Sequence, residues 1–433
     1  MSGPLSFASA AAWLDGLQLF KIKLGLDTTR ELLADLGSPE RGLPVLHIAG
    51  TNGKGSVGAT LSAILTAAGY RTGFYSSPHL SCVRERFRLD GQCITEARFA
   101  SLAGRLRAVL GERQPTYFEA TTLMALLWFA EERVDAAILE TGMGGRLDAT
   151  NVVTPLVCLL TDISRDHEQH LGTGIAAIAA EKAGIIKPGV PVICSGREPQ
   201  AVPVIAARCR ECASPLFLHG RDFSGQLEGD GRFAYRPLNG PTRAGLPLAL
   251  PGAHQAVNTA LALAALELLA DCYPQAAAAV PAGLARVRWP GRMESFTVEV
   301  DGRSRSFLLD GAHNQAGVEA LVHSLTRGYQ RERLVLVWGN MADKNLLPGL
   351  LALLPLSDRI IFTRAEPVRS ASPEALLVQL PPEHQCRAEC AATVAEALAR
   401  AAAASSPDDL ICVAGSLYLV GRARQLLLGE DCQ

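Results

Sequence analysis

The sequence predicts an α/β protein with a larger domain on a mainly parallel sheet, followed by a smaller Rossmann-like α/β domain. Short apolar runs alternate with longer segments of helical apolar spacing along nearly the whole chain. A glycine-rich turn at residues 50–56 joins one such run to a helical segment, and a Pro-Gly corner at 290–291 interrupts the alternation. We therefore place the domains at residues 1–295 and 296–433.

The glycine-rich turn has the composition of a phosphate-binding loop. Residues 43–49 are typical of a buried strand, GTNGKGS follows at 50–56, and residues 57–68 carry helical spacing. This arrangement directs backbone N–H groups and the positive helix end at phosphate, and Lys54 adds a charge that reaches the outer phosphates. A turn that only caps a helix is the alternative, but so many glycines would cost stability without a function. The first domain is interpreted as a phosphate-loop ATPase domain.

The loop departs from the usual pattern G-x-x-x-x-G-K-[ST]. That pattern would need glycine where Ile48 stands and a hydroxyl where Gly55 stands. The hydroxyl that normally binds magnesium must therefore come from elsewhere, either from Ser56 or from the serines at 76–77.

Two further candidates follow predicted strands. Glu140 ends the strand at 134–139 and precedes three glycines, and His167 follows the strand at 156–160. Parallel strands end at one edge, where α/β sheets bind ligands, so Glu140 is predicted to hold magnesium beside the phosphates. A histidine in this position is more often a hydrogen-bonding residue than a ligand. From its helical pattern alone, Lys182 is expected to be an ordinary exposed lysine.

Composition excludes several classes of function. Hydrophobic residues make up 48%, charged residues 19%, and the net charge is −2, so a nucleic-acid binder is disfavoured. No apolar stretch is long enough for a membrane span, and the N-terminus lacks a secretion signal. Eleven cysteines are scattered, and the pairs 209/212 and 386/390 lie in helical patterns with no histidine at ligand spacing within either pair, which favours reduced thiols over structural zinc. We expect a cytoplasmic, monomeric enzyme.

The second domain repeats the strand-end arrangement. Its predicted strands are 307–309, 334–338, 359–362 and 410–413, with Asp310 after the first and Ser416 after the last. These strand ends could face the first domain across a cleft, with Arg292 at the hinge.

Several motifs agree on one family. They are GTNGKGS (50–56), YSSPHL (75–80), TYFE (116–119), ETGMGGRLDATN (140–151), DH (166–167), EKAGI (181–185), PGRM (290–293), DGAHN (310–314) and AGS (414–416). In this order, and over nearly the whole chain, they resemble the folylpolyglutamate synthase/dihydrofolate synthase branch of the Mur-ligase-like amide ligases. The Lys-Gly-Ser form of the loop is that branch's own.

The resemblance implies that ATP and two Mg²⁺ ions bind at the loop. Ser77 and Glu140 would hold one ion, and His167 would hold the second together with Lys182 in carbamylated form, which turns an ammonium into an anionic oxygen ligand. Lys54, Lys182, His167 and His313 are the implied catalytic residues. The implied nucleotide-binding residues are Thr51, Asn52, Gly53, Lys54, Gly55, Ser56, Asn258, Arg292 and Asp310.

The resemblance also implies the substrate sites. His313 and Ser416 would face the incoming L-glutamate, and Tyr117 and Phe118 suit a flat heterocycle by stacking. The implied pterin-site residues are Lys23, Leu24, Gly25, Thr116, Tyr117, Phe118, Glu119, Leu147, Asp148 and Ala149.

The implied reaction is bifunctional, joining glutamate to dihydropteroate and further glutamates to reduced folates through an acyl phosphate. One alternative is the same fold restricted to tail extension. Another Mur ligase acting on a sugar nucleotide is disfavoured because no sugar-nucleotide domain precedes the loop. A nucleotide-driven regulatory protein would leave the DGAHN and PGRM motifs unexplained.

Overall fold

The computed structural model describes residues 5–17, 25–229, 231–300, 302–329, 331–366 and 368–429. The chain forms two compact units. The first comprises Met1–His79, Val83–Ala249 and Gln255–Val287, and the second comprises Leu80–Cys82, Leu250–His254 and Arg288–Gln433. The domain boundary drawn at 295/296 stays a prediction. Within the described ranges, every helix is too short or too polar to cross a membrane.

The first unit is an α/β structure that also contains two 3₁₀ turns and one short helix, α6. Its elements are α1 (Phe7–Gly16), α2 (Asp27–Asp35), β1 (Val45–Ala49), α3 (Lys54–Ala67), β2 (Thr72–Tyr75), a 3₁₀ turn (Val83–Arg86), β3 (Phe87–Leu89), β4 (Gln92–Cys93), α4 (Glu96–Val109), α5 (Tyr117–Glu131), β5 (Ala136–Glu140), a 3₁₀ turn (Ala149–Val152), β6 (Val157–Leu160), α6 (Glu168–Leu171), α7 (Ile175–Ala183), β7 (Val192–Cys194), α8 (Ala201–Glu211), β8 (Leu216–Leu218), β9 (Ser224–Leu227), β10 (Phe233–Arg236), β11 (Arg243–Leu246), α9 (Ala253–Leu268) and α10 (Ala276–Arg286).

The main sheet of this unit is parallel except at one edge. In the described part of the chain its strand order is β4-β3-β2-β5-β1-β6-β7-β8, and only β3 and β4 run antiparallel to their neighbours. The segment after β8 folds into the small antiparallel sheet β11-β10-β9. The predicted mainly parallel α/β fold is confirmed. Because β1 lies between β5 and β6, the loops that follow these three strands meet at one edge.

The helix that follows β1, α3, packs closely against α10. α3 begins at Lys54, directly after Gly53, whose φ of +92° is a conformation that favours glycine. α10 packs across α3, and Gly283 lies so near that a Cβ there would be 2.5 Å from the Cα of Ile64. The position of α3 therefore depends on a small residue in α10.

The second unit is a smaller α/β structure. Its elements are β12 (Glu294–Val300), β13 (Arg303–Leu309), α11 (Gln315–Gly328), β14 (Leu334–Trp338), α12 (Leu347–Leu353), a 3₁₀ turn (Leu354–Leu356), β15 (Arg359–Phe362), α13 (Pro373–Val378), α14 (Pro382–Gln385), β16 (Ala388–Cys390), α15 (Val394–Ala404), β17 (Leu410–Ala414) and α16 (Leu417–Leu428).

The sheet of the second unit contains the four predicted strands and two others. Its order is β12-β13-β17-β14-β15-β16 in the described residues, with β12 antiparallel to β13 and the other pairs parallel. The expectation that Cys390 lies in a helical pattern was wrong, because it ends the edge strand β16. β13 and β17 are neighbours, so the loops after them lie side by side.

Candidate functional site

The phosphate loop is held to the loop that follows β6. The backbone N–H of Thr51 donates to the carbonyl of Asp162 at 2.7 Å. The Thr51 hydroxyl donates to the Ser164 carbonyl and accepts from the Ser164 N–H, both at 3.1 Å. These bonds use the side chain of Thr51 and leave the loop joined to the segment that carries His167.

Glycine allows two close approaches within this loop. A Cβ at Gly50 would collide with the side chain of Thr161, and one at Gly53 would collide with the amide of Asn258. Asn258 is buried in α9, where its Nδ2 donates to Gln255 Oε1 at 3.0 Å. The structure thus brings Asn258 against the loop, far from it in sequence.

Two lysines share one carbonyl at the start of the loop. Lys54 Nζ donates to Gly50 O at 3.1 Å and to Thr51 O at 3.3 Å, while Lys182 Nζ donates to Gly50 O at 2.8 Å. Lys182 is only 4% exposed. The expectation of an exposed helical lysine was therefore wrong, because α7 packs with this side chain directed at the loop edge of the sheet.

Burial changes the acidity of Lys182. Removal from water lowers its pKa to about 7, and the nearby charge of Lys54 contributes in the same direction. The carboxylates of Asp166 and Asp148 oppose the shift without cancelling it. A large fraction of this amine is consequently neutral, and nucleophilic, near neutral pH.

An acid and a serine complete the group around Lys54. Glu140 ends β5 and is buried, with Oε1 at 3.9 Å from Lys54 Nζ and Oε2 accepting the backbone N–H of Ser77 at 3.3 Å. Gly55 and Ser56 lie in the first turn of α3. Lys54, Glu140 and Ser77 are thereby assembled at the edge that the strand order predicts.

His167 lies on the loop after β6, at the start of α6. Its backbone is left-handed, with φ +54°, its side chain is 44% exposed, and its Nε2 is 3.8 Å from Asp166 Oδ1. No cluster of three or more His, Cys, Asp or Glu side chains in the described ranges could hold a metal ion.

Residues 116–119 form a helix cap at the start of α5. The Thr116 hydroxyl accepts from the Glu119 N–H at 3.2 Å, and the Glu119 carboxylate accepts from the Thr116 N–H at 2.7 Å, a reciprocal capping box. Tyr117 is buried, with the Arg86 guanidinium 5.1 Å from its ring centroid. Phe118 keeps exposed surface, so of the two rings it is the better placed to stack on a ligand.

The segment 147–149 closes the loop after β5. Asp148 is fully buried, and its carboxylate accepts backbone N–H groups from Gly142 at 2.9 Å, Met143 at 3.0 Å and Thr150 at 3.0 Å. Leu147 is half-buried and Ala149 buried. Of the remaining pterin-site candidates, Gly25 lies at the start of a described segment, and Lys23 and Leu24 lie outside the described residues.

The sequence analysis did not identify Arg86, a buried cation beside Tyr117. Arg86 Nε donates to His79 Nδ1 at 2.9 Å, and burial with the Arg86 charge lowers the pKa of His79 to about 3, so His79 is a neutral acceptor. Within the described residues Arg86 has no carboxylate partner. The sequence signal that could have indicated this buried cation is the charge density of VRERF at residues 83–87.

The second unit holds its own group of candidates. Asp310 follows β13 and accepts the N–H groups of Met293 and Ala312, each at 2.9 Å, and burial raises its pKa. His313 Nδ1 is 2.8 Å from the Gly311 carbonyl. Arg292 lies beside the same turn, since a Cβ at Gly311 would be 2.7 Å from its Nη1.

Ser416 belongs to the neighbouring strand end. It is buried after β17, and its hydroxyl caps α16 by accepting the Tyr418 N–H at 3.2 Å. The adjacency of β13 and β17 therefore places Ser416 at the same edge of the sheet as Asp310.

Comparisons with known proteins identify relatives of both halves of the chain. The Mur ligase middle domain matches residues 48–194, and the Mur ligase glutamate ligase domain matches residues 291–417. The dihydrofolate synthase/folylpolyglutamate synthase of Bacillus subtilis is 32% identical over 98% of this chain and 99% of its own length. A probable bifunctional folylpolyglutamate synthase/dihydropteroate synthase of Haloferax volcanii is 34% identical over 97% of this chain, which spans 50% of that protein.

Solved structures share the complete fold. Folylpolyglutamate synthase of Mycobacterium tuberculosis complexed with ADP has a TM-score of 0.89 at 32% identity, covering 99% of each chain. Escherichia coli FolC in complex with DHPP and ADP has a TM-score of 0.86 at 33% identity, covering 97% of each chain. A bifunctional folylpolyglutamate synthase/dihydrofolate synthase with Mn, AMPPNP and L-glutamate bound has a TM-score of 0.84 at 31% identity, covering 98% of this chain and 99% of its own.

Proposed function

Because this chain belongs to the dihydrofolate synthase/folylpolyglutamate synthase family of Mur-type ligases, we propose that it joins L-glutamate to dihydropteroate and to the γ-carboxyl group of reduced folates. ATP is converted to ADP and phosphate in each cycle. The observation that carries the proposal is the convergence of Lys54, Glu140 and Ser77 at the phosphate loop. The relatives with bound ADP, DHPP, Mn, AMPPNP and glutamate support it.

The reaction needs an activated carboxyl group. A carboxylate oxygen of the pteroate or folate attacks the γ-phosphorus of ATP, and the bond to the β-phosphate oxygen breaks, leaving ADP and an acyl phosphate. The amine of glutamate then attacks the acyl carbon, loses a proton and displaces phosphate, which forms the amide. Lys54 neutralises charge on the transferring phosphoryl group, so it acts mainly in the transition state.

Different groups are proposed to bind the phosphates, the rest of the nucleotide and the magnesium ion. Backbone N–H groups of residues 53–56, at the start of α3, would receive the phosphates, and Asn258 lies against the loop at Gly53. We also propose Arg292 and Asp310 as nucleotide-binding residues. The oxygen donors of Ser77 and Glu140 suit Mg²⁺, which prefers hard oxygen ligands and would supply further charge neutralisation.

Lys182 is proposed to be carbamylated. Carbamylation joins a neutral amine to CO₂ with loss of a proton, and the lowered pKa of Lys182 supplies that neutral amine. The product is an anionic oxygen ligand, which with His167 would hold a second Mg²⁺ ion. Intact-mass measurement with and without bicarbonate tests this, because only the wild type, and not Lys182→Met, should gain the mass of one CO₂.

The residues that bind the pteridine and the glutamate are also proposals. Residues 116–119, which include Phe118, and residues 147–149 are proposed to line the pteridine site, and residues 23–25 stay a prediction. His313 and Ser416 face glutamate, the acceptor of the acyl group. Cytoplasmic location and a monomeric state remain predictions.

A substitution at Lys54 tests the assignment of the loop. Lys54→Met should lower glutamate-dependent ADP formation by at least about 10²-fold, because a preorganised charge at the transferring group is lost. Thermal unfolding of the variant should stay cooperative, since the Lys54 ammonium donates to carbonyl groups of its own loop. A variant that retains more than about a tenth of the wild-type rate would contradict the role of Lys54.

A further inference from the structure

A fully buried histidine lies in the middle of β1, the strand that leads into the phosphate loop. The other residues of β1 are apolar, and His47 pairs in register with Leu139 of β5 and Cys158 of β6. Burial and the charge of Lys187 lower the pKa of His47 to about 3, so its ring is neutral and carries one N–H donor. A buried imidazole is costly unless that donor is bonded, so its partner decides what the residue does.

The partner of His47 is a hydroxyl that itself holds a carboxylate. His47 Nε2 is 2.8 Å from Thr150 Oγ1, which is 2.6 Å from Asp148 Oδ1. The Thr150 hydroxyl donates its one hydrogen bond to the Asp148 carboxylate, so Thr150 Oγ1 is left to accept the N–H of His47. His47 Nδ1 has no hydrogen-bond partner among the described residues, as this direction of donation requires.

The Asp148 carboxylate holds the loop that follows β5 by hydrogen bonds to its backbone. Its Oδ2 accepts the N–H groups of Gly142 and Met143, which lie two and three residues after Glu140, the last residue of β5. Gly142 lies against an aromatic ring, since a Cβ there would be 2.6 Å from Phe118 Cε2. A rotation of the carboxylate would therefore move backbone that touches Phe118.

We propose that His47 and Thr150 are positioning residues for the pteridine substrate, acting through Asp148 to hold the loop beside Phe118. The inference rests on the proposed function, which places the pteridine beside Phe118 and residues 147–149. Neither positioning residue touches the substrate. We call the hydrogen-bond chain His47–Thr150–Asp148 the relay. The phosphate loop is held by separate bonds to Asp162 and Ser164, so loss of the relay affects binding of the pteridine and not of ATP.

The test removes one hydroxyl and keeps the shape of the side chain. Thr150→Val should raise the KM for dihydropteroate about tenfold, the usual size of one lost buried hydrogen bond, and change the KM for ATP less than about twofold. Thr150→Ser restores the hydroxyl and should return the dihydropteroate KM to within about twofold of wild type. The matched control Thr154→Val makes the same change at an exposed position. His47→Leu combined with Thr150→Val should be no worse than the more impaired single variant.

Each outcome decides for or against the relay. An unchanged dihydropteroate KM in Thr150→Val, or equal increases in both KM values, would overturn it. If thermal melting shows that Thr150→Val does not fold, Thr150→Ala is measured by the same criteria. A wild type without turnover on dihydropteroate would overturn the proposed function and this inference together, whereas an active wild type with an unaffected Thr150→Val would overturn this inference alone.

Discussion

At the scale of residues, the centre of the site is the Gly50 carbonyl, which accepts from both Lys54 and Lys182. Two ammonium groups on one acceptor repel each other, and burial adds to the cost of charging Lys182. The unmodified protein therefore holds this amine partly neutral. Carbamylation would convert the repulsion into an attraction to Lys54, so the modification suits the environment that the chain provides.

The lowered pKa of Lys182 predicts that the stability of the protein depends on pH. The folded protein releases the Lys182 proton near pH 7, whereas the unfolded chain keeps it until about 10.5. The unfolded state binds more protons in that window, so the free energy of unfolding rises with pH there, by up to about 1.4 kcal/mol per pH unit. Lys182→Met should lose this rise when denaturant unfolding is measured from pH 7 to 9 without CO₂ or Mg²⁺.

A control separates this effect from general changes with pH. Lys344→Met replaces a half-buried lysine of the second unit and should keep the wild-type rise. Parallel curves for wild type and Lys182→Met would show that Lys182 is not the titrating group.

At the scale of elements, strand ends were predictable and side-chain burial was not. Glu140 and the phosphate loop were placed at one edge because buried apolar runs predict parallel strands, whose ends coincide. Lys182 was misjudged because a helical pattern does not say which side of a short helix meets the sheet. The relay from His47 to Asp148 was missed for a related reason, since it joins residues that are about a hundred positions apart.

Another feature at this scale is the close packing of α3 and α10. Gly283→Ala should lower the free energy of unfolding by about 1–3 kcal/mol, because the added Cβ meets the backbone of Ile64 and the helices must separate. Gly104→Ala is the matched control, since that helical glycine in α4 has nothing within 4 Å of an added Cβ. It should instead stabilise by about 0.5–1 kcal/mol. Denaturant unfolding of both variants checks the pair, and equal effects would contradict the packing argument.

At the scale of the whole molecule, two α/β units each place polar residues at the carboxyl ends of neighbouring strands. The alternation of strands and helices was enough to predict both units and their order. It did not reveal that Leu80–Cys82 and Leu250–His254 belong to the second unit, because such short insertions leave no composition signal. Nor did it reveal β12, an edge strand whose alternating exposure is weak evidence without its partner β13.

The most direct measurement is ADP formation by the purified protein with Mg²⁺ and ATP, with dihydropteroate or tetrahydrofolate, and with glutamate present or omitted. We expect glutamate-dependent ADP release with both acceptors and a product one glutamate longer in each case. Release with tetrahydrofolate alone would restrict the function to tail extension. ADP formation that is indifferent to glutamate and to both pteridines would contradict the assignment of this chain as an amide ligase.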